Sequence, residues 1–198
     1  MPQRPVVGVL LAAGSGSRFG GDKLLAKLAD GRPLASAALS ALAAAVDAVV
    51  AVVRPGDAAL QALLGECGAL VAVCPEAAEG IGASLACGVR EVQRRFPDAR
   101  GAIIALADMP WLSPSTVARI AAALRRGAVL AAPTHRGTRG HPVAIGAGYF
   151  AELRLLSGDE GARELLAAHG AEIELIAVDD PGVLRDVDTQ ADLGSRLR

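Results

Sequence analysis

Short, unbroken apolar runs alternate along this chain with Ala- and Leu-rich stretches of helical spacing. Val6–Ala12 reads as a first strand, buried on both faces because no polar residue interrupts it. Leu34–Ala45 reads as a helix and Val46–Val53 as a second strand, ended by Arg54-Pro55-Gly56. Asp57 is placed to cap a short helix reaching Leu64. A third strand, Leu70–Cys74, stops at Pro75. The pattern then predicts a helix over Ile81–Phe96, with Arg94 and Arg95 in its last turn where the helix dipole favours them. Ala102–Ala107 is the fourth strand. Ser113-Pro114 opens a helix, a hydroxyl before a first-turn proline, that ends near Gly127. Val129–Ala132 is a strand, Thr134–Gly140 a polar, glycine-rich loop and Pro142–Ile145 a short strand. Helices around Tyr149–Leu156 and Glu160–His169, a strand at Ile173–Val178 and a closing helix at Thr189–Leu197 complete the chain.

This alternation predicts a single α/β domain over 1–198, with a mostly parallel sheet and helices on both faces: a three-layer α/β/α, Rossmann-like arrangement. Such sheets bind ligands at the carboxyl ends of their strands, so candidate chemistry is sought there. Arg4 ahead of an apolar run has the outline of a secretory leader, but the basic, glycine-rich sequence that follows favours a buried strand. No apolar run reaches the roughly 18 residues that span a bilayer.

The first strand runs into Gly14-Ser15-Gly16-Ser17-Arg18-Phe19-Gly20-Gly21-Asp22-Lys23. Glycines let backbone N–H groups approach an anion, and Arg18 and Lys23 add two positive charges. The loop is not a Walker A motif, since Lys23 is followed by Leu24. It is not the dinucleotide fingerprint either, because the third glycine falls one residue late, at Gly20. Arg54 stands where that fold carries an acid, which leaves a cofactor with a 2′-phosphate, and hence an NAD(P)H-dependent oxidoreductase, as an alternative.

Past the fourth strand lies Asp108. A carboxylate there is costly to desolvate unless it meets a cation, and Mg²⁺ with phosphate oxygens would satisfy it. Asp186 and Asp188 share a face if their segment is extended. Asp188 is a candidate for metal ligation, for capping the closing helix, or for both. Ser84, in the first turn of a helix, is a candidate for reading a base edge. Arg139-Gly140-His141-Pro142 suits an anionic acceptor, whereas His135 and Arg136 read as surface loop.

Composition narrows the classes. The chain has 20 basic and 21 acidic residues with no long block of either sign, and only 3% aromatics, which argues against a nucleic-acid partner. Cys67, Cys74 and Cys87 form no Cys-x-x-Cys pair; reduced, buried thiols in a cytoplasmic protein are expected.

Together these residues resemble the MobA-like nucleotidyltransferases, and among them the molybdenum cofactor cytidylyltransferases. The resemblance rests on Leu11-Ala12-Ala13-Gly14-x-Gly16-x-Arg18 with Lys23, on Gly80-Ile81-Gly82-Ala83-Ser84-Leu85, and on Asp108-Met109-Pro110. It continues in Arg139-Gly140-His141-Pro142, Ser157-Gly158-Asp159-x-Gly161-Ala162-Arg163 and Asp186-Val187-Asp188-Thr189. It departs at Ala107, where the family usually carries Gly. It implies that the backbone of Leu11, Ala12, Ala13 and Gly14, with Gly16 and Ser84, holds the nucleotide. Arg18 and Lys23 would grip the triphosphate and act with Asp108 in catalysis. Asp108 and Asp188 would hold Mg²⁺, and Arg139, His141 and Asp159 would face the acceptor. Ala13 goes with CTP in this family, where Gly goes with GTP. The implied reaction transfers CMP to the phosphate of metal-loaded molybdopterin, with a molybdoenzyme as receiver of the product. A guanylyltransferase, another small-molecule nucleotidyltransferase of the family with a phosphorylated acid or sugar as acceptor, and a non-catalytic cofactor chaperone are the further alternatives.

Overall fold

The computed structural model describes residues 4–14, 16 and 19–194. Its sheet is built on β1 (Val6–Leu11), whose six residues are all buried. β2 (Ala48–Val53) and β4 (Gly101–Leu106) flank it in parallel, and β3 (Leu70–Val73) extends the sheet beyond β2. On the other side, β7 (Val143–Gly146) pairs antiparallel with β4 and with β5 (Leu130–His135). β8 (Ile173–Ala177) adds in parallel to β5.

The three-layer, mostly parallel arrangement is therefore as expected, with β7 as the reversed strand at its centre. Side chains alternate across the sheet. Val6 and Leu10 join one core with α1 (Leu34–Ala43), α2 (Ala58–Glu66) and α4 (Pro114–Arg126). Val7, Val9 and Leu11 join the other with α3 (Ile81–Arg95), α5 (Phe150–Leu153) and α6 (Ala162–Ala168). Two glycines set how closely the helices sit. A Cβ on Gly8 would lie 2.8 Å from Leu42 of α1, and one on Gly88 of α3 would lie 2.7 Å from Val9. With so few aromatics, this close approach lets small Ala and Val side chains fill the interior.

Several local expectations are corrected. Thr134–Gly140 is a hairpin rather than a loop. β5 runs on to His135, turns through Arg136 and Gly137, both at positive φ, and returns as β6 (Thr138–Arg139). His135 is buried, its Nδ1 3.2 Å from the Val178 carbonyl oxygen. Asp57 precedes α2 without a side-chain cap, because its carboxylate accepts from Arg54 Nε at 2.7 Å. Ser113 likewise gives α4 no hydroxyl cap. Its backbone N–H donates instead to the buried Asp180 carboxylate, which also accepts from Thr116 Oγ1 at 2.7 Å. The described part of the closing segment is a 3₁₀ turn, Gln190–Gly194; residues 195–198 lie outside the described residues. Of the thiols, Cys74 is buried, but Cys67 is exposed and Cys87 intermediate. Among the described residues, no helix is long and apolar enough to cross a membrane.

Candidate active site

At the carboxyl ends of β1, β2 and β3 opens a cavity of about 1020 Å³. The loop after β1 forms its floor, with Gly14, Gly16, Gly21 and Lys23 in the lining. Arg54 and Asp57 wall it beyond β2, Pro75 beyond β3, and Ser84 from α3. Leu11 and Ala13 also line it. Ala12 does not. Its N–H is committed to the Val52 carbonyl at 2.9 Å, and its methyl lies in the core behind the sheet. Ser84 is buried at the wall, where its hydroxyl donates to the Gly80 carbonyl at 3.2 Å. Arg18 lies outside the described residues.

Two motifs that are far apart in sequence are one structure here. The Gly82 N–H donates to the Gly158 carbonyl at 2.8 Å, and a Cβ on Gly80 or Gly82 would run into the backbone of the 157–160 turn. The first turn of α3 and that turn are thus pressed together, and this brings Asp159 to the cavity wall. The Arg-Gly-His-Pro motif is anchored similarly. The His141 N–H donates to the Val183 carbonyl at 2.9 Å, and a Cβ on Gly140 would clash with that same carbonyl.

The charged centre lies between β1 and β4. Lys23 Nζ is 2.9 Å from Asp108 Oδ2 and 3.7 Å from Asp188 Oδ1. The C-terminal strap is tied to this point by the Val187 N–H, which donates to the Asp108 carbonyl at 2.9 Å. Val187 is fully buried against Phe19 and Leu34. Phe19 comes from the glycine loop, so one apolar contact registers the lysine against both carboxylates. Reading the sequence for charge missed this pair. The signal was present in Asp186-Val187-Asp188, where one apolar residue between two acids marks a half-buried extended segment.

Asp108 keeps its other oxygen, Oδ1, buried with no hydrogen-bond partner among the described residues. A buried carboxylate oxygen left unpaired is costly, and a cation relieves that cost. The donor set also suits a hard divalent ion: carboxylate oxygens beside an open cavity that phosphate oxygens and water can complete. The residues present therefore fit such a metal, which Asp108 and Asp188 would hold. His141 lies on the far side, its Nδ1 buried without a hydrogen-bond partner among the described residues. Burial pushes its pKa down, and Arg139 adds to this; the Ile104 carbonyl and the Asp108 and Asp186 carboxylates oppose the shift. Burial thus favours the neutral imidazole. Arg139 is exposed on β6. Arg185 lies over the Trp111 ring, 4.4 Å from its centroid, beside the same strap.

A glycine-rich loop, a lysine and two carboxylates at the carboxyl edge of a mostly parallel sheet are the features of a nucleotidyltransferase. The chain belongs to the MobA-like NTP transferase domain family, whose model matches residues 8–173. It is 33% identical over 196 residues to the purine catabolism protein PucB of Bacillus subtilis, covering 93% of this chain and 92% of PucB. It is 32% identical over 192 residues to the nicotine blue oxidoreductase of Paenarthrobacter nicotinovorans, again covering 93% and 92%. Among solved structures, it resembles Rv0371c of Mycobacterium tuberculosis at 29% identity and a TM-score of 0.84, covering 97% of this chain and 96% of that one. A structure of Rv0371c in complex with manganese aligns with a TM-score of 0.79 at 27% identity, covering 95% of each chain.

Proposed function

We propose that the protein transfers CMP from CTP to the phosphate of a molybdopterin-type acceptor, releasing pyrophosphate. The observation that carries the transfer chemistry is the Lys23–Asp108–Asp188 cluster, with one Asp108 oxygen unpaired among the described residues. The manganese complex of Rv0371c supports a divalent ion in this reading. The acceptor and the choice of CTP rest on the family resemblance, and for the base on Ala13.

In this mechanism the loop from Leu11 to Lys23 holds the nucleotide against the ends of β1 and β2, with Asp159 and Ser84 closing the opposite wall. Lys23 neutralises charge that develops on the phosphate oxygens as pyrophosphate leaves. Asp108 and Asp188 would hold Mg²⁺, which supplies Lewis-acid polarisation of the phosphoryl group. Arg139 and His141 would face the acceptor, a role that rests on the family resemblance. A phosphate monoester is already a nucleophile at neutral pH, so alignment and charge stabilisation dominate the catalysis.

A pyrophosphate-release screen across four nucleotides, with Mg²⁺ and metal-loaded molybdopterin, tests the proposal. Release from CTP that requires the acceptor is expected, and Asp108→Ala should reduce it by about a hundredfold or more. Preference for GTP would overturn the reading of Ala13. Acceptor binding without release would point to a chaperone. The oxidoreductase relative keeps a second reading in play, since Arg54 lines the cavity. Its guanidinium is bonded by Nε and a terminal nitrogen to Asp57, which opposes a role in seizing a 2′-phosphate. Saturable NADPH binding tighter than that of CTP would reverse this choice.

A further inference from the structure

Lys23 reaches the same two carboxylates that would hold a metal. Its ammonium lies 2.9 Å from Asp108 and 3.7 Å from Asp188, and only 10% of its side chain is exposed. We infer that Lys23 is a resident counter-cation of Asp108, within ion-pair reach of Asp188, that a divalent ion displaces it, and that the displaced ammonium is handed to the nucleotide triphosphate. This rests on the nucleotidyl-transfer reading above and adds a coupling to it.

The geometry restricts where the lysine can go. Its backbone N–H is tied to the Gly21 carbonyl at 2.8 Å. Its stem is flanked by Gly16, where a Cβ would lie 3.2 Å from Lys23 Cβ. The root of the side chain is therefore fixed to the glycine loop, and only its outer dihedrals are free to swing. Any swing leaves the ammonium over the cavity that Gly14, Gly16 and Gly21 line. A metal on the open Oδ1 of Asp108 would still lie close to an ammonium held on Oδ2, and the two cations repel. Without nucleotide, Lys23 thus competes with the metal. With nucleotide, the triphosphate receives the ammonium and the carboxylates are released to the metal. Linkage makes this reciprocal: metal must tighten nucleotide binding by the factor that nucleotide tightens metal binding.

Mn²⁺ serves as the probe, followed by its own magnetic resonance signal in the wild type and in Lys23→Met, without and with CTP. Without nucleotide, Lys23→Met should bind Mn²⁺ about tenfold more tightly than the wild type, within the range usual for coupled sites. CTP should tighten Mn²⁺ binding in both proteins through its phosphate oxygens, but by a clearly larger factor in the wild type, where it also takes up the lysine. Lys23→Gln, which keeps a hydrogen-bond donor without the charge, should behave like Lys23→Met and carries the test if the methionine variant fails to fold by circular dichroism. Equal or weaker Mn²⁺ binding in the folded variant would overturn the hand-over while leaving the metal site standing. Absence of Mn²⁺ binding in every protein, with and without CTP, would overturn the metal site and the hand-over together.

Discussion

Replacing Gly82 with Ala tests whether the joint between α3 and the 157–160 turn shapes the nucleotide cavity. The added Cβ would lie 2.6 Å from the Ser157 carbonyl oxygen and nearer still to that of Glu160. Both obstacles are backbone, so no rotamer change relieves them. Overpacking of this kind costs about 1–3 kcal/mol, and weakening the bond from Gly82 N–H to the Gly158 carbonyl adds about 1 kcal/mol. The gain in helix propensity from glycine to alanine offsets up to about 1 kcal/mol. A net loss of about 2 kcal/mol lowers the melting temperature of a domain this size by about 4–8 °C. The turn carries Asp159 and the helix carries Ser84, both in the cavity wall, so CTP affinity should fall along with stability. Thermal unfolding and CTP titration read the two effects separately. Gly148→Ala is the control, because nothing lies within 4 Å of a Cβ there. If Gly82→Ala melts within about 1 °C of the wild type and binds CTP equally well, the turn is not seated on α3 and the reasoning fails.

Other expectations concern single groups. Asp180 accepts from the Ser113 N–H, Thr116 Oγ1 and the Gly182 N–H, so Asp180→Ala strands three donors and should cost about 3 kcal/mol by urea unfolding; a loss below about 1 kcal/mol would mean that water replaces the carboxylate. The Arg94 guanidinium, and then Arg95, hold the Glu91 carboxyl down to about 2 from an ordinary 4.5. The folded value lies below the unfolded one, so this contribution is complete above pH 4.5 and is lost as pH falls towards 2. Glu91→Gln should therefore cost about 1 kcal/mol at pH 7 and progressively less in acid; an equal cost at pH 7 and pH 3 would contradict the ion pairing. Burial first, and Cys87 second, push the Cys74 thiol up to about 12. Native protein at pH 8 should thus be alkylated at exposed Cys67 and spared at Cys74, as mass spectrometry of the labelled chain will show.

The strands were legible because full burial on both faces writes itself as unbroken apolar runs, as in Val6–Leu11. What the pattern did not carry was direction. Nothing local in Val143–Gly146 says that it enters the sheet reversed between β4 and β5; that depends on the turn at Arg136 and Gly137, which reads as a polar loop until its pairing is seen. Capping was misassigned for a related reason. Asp57 and Ser113 occupy cap positions, but a nearby guanidinium and a carboxylate 67 residues away outcompete the local bonds. Among the candidate site residues, Lys23, Asp108 and Asp188 converge because their charge marked them. Phe19 and Val187, which bring them into register, are ordinary core residues in sequence and acquire meaning only through their mutual contact.

The way the site is assembled bears on how relatives of nearly equal length carry such different names. The wall of the cavity comes from the ends of β1, β2 and β3 and the first turn of α3, elements that follow one another along the chain. The opposite side is stitched from three distant segments. A Cβ on Gly140 would strike the Val183 carbonyl, and one on Gly182 would strike that of Trp111, so these backbones interlock with little room for change. The side chains they display, Arg139, Trp111 and Arg185, are not bound by that constraint. Under the proposed reading, Lys23, Asp108 and Asp188 serve any phosphorylated acceptor, and acceptor choice falls to the displayed side chains. Exchanging those three residues for the ones in PucB should then alter acceptor preference while leaving the affinity for CTP and Mn²⁺ intact. A parallel loss of CTP binding in a folded variant would show that the two sides are not separable.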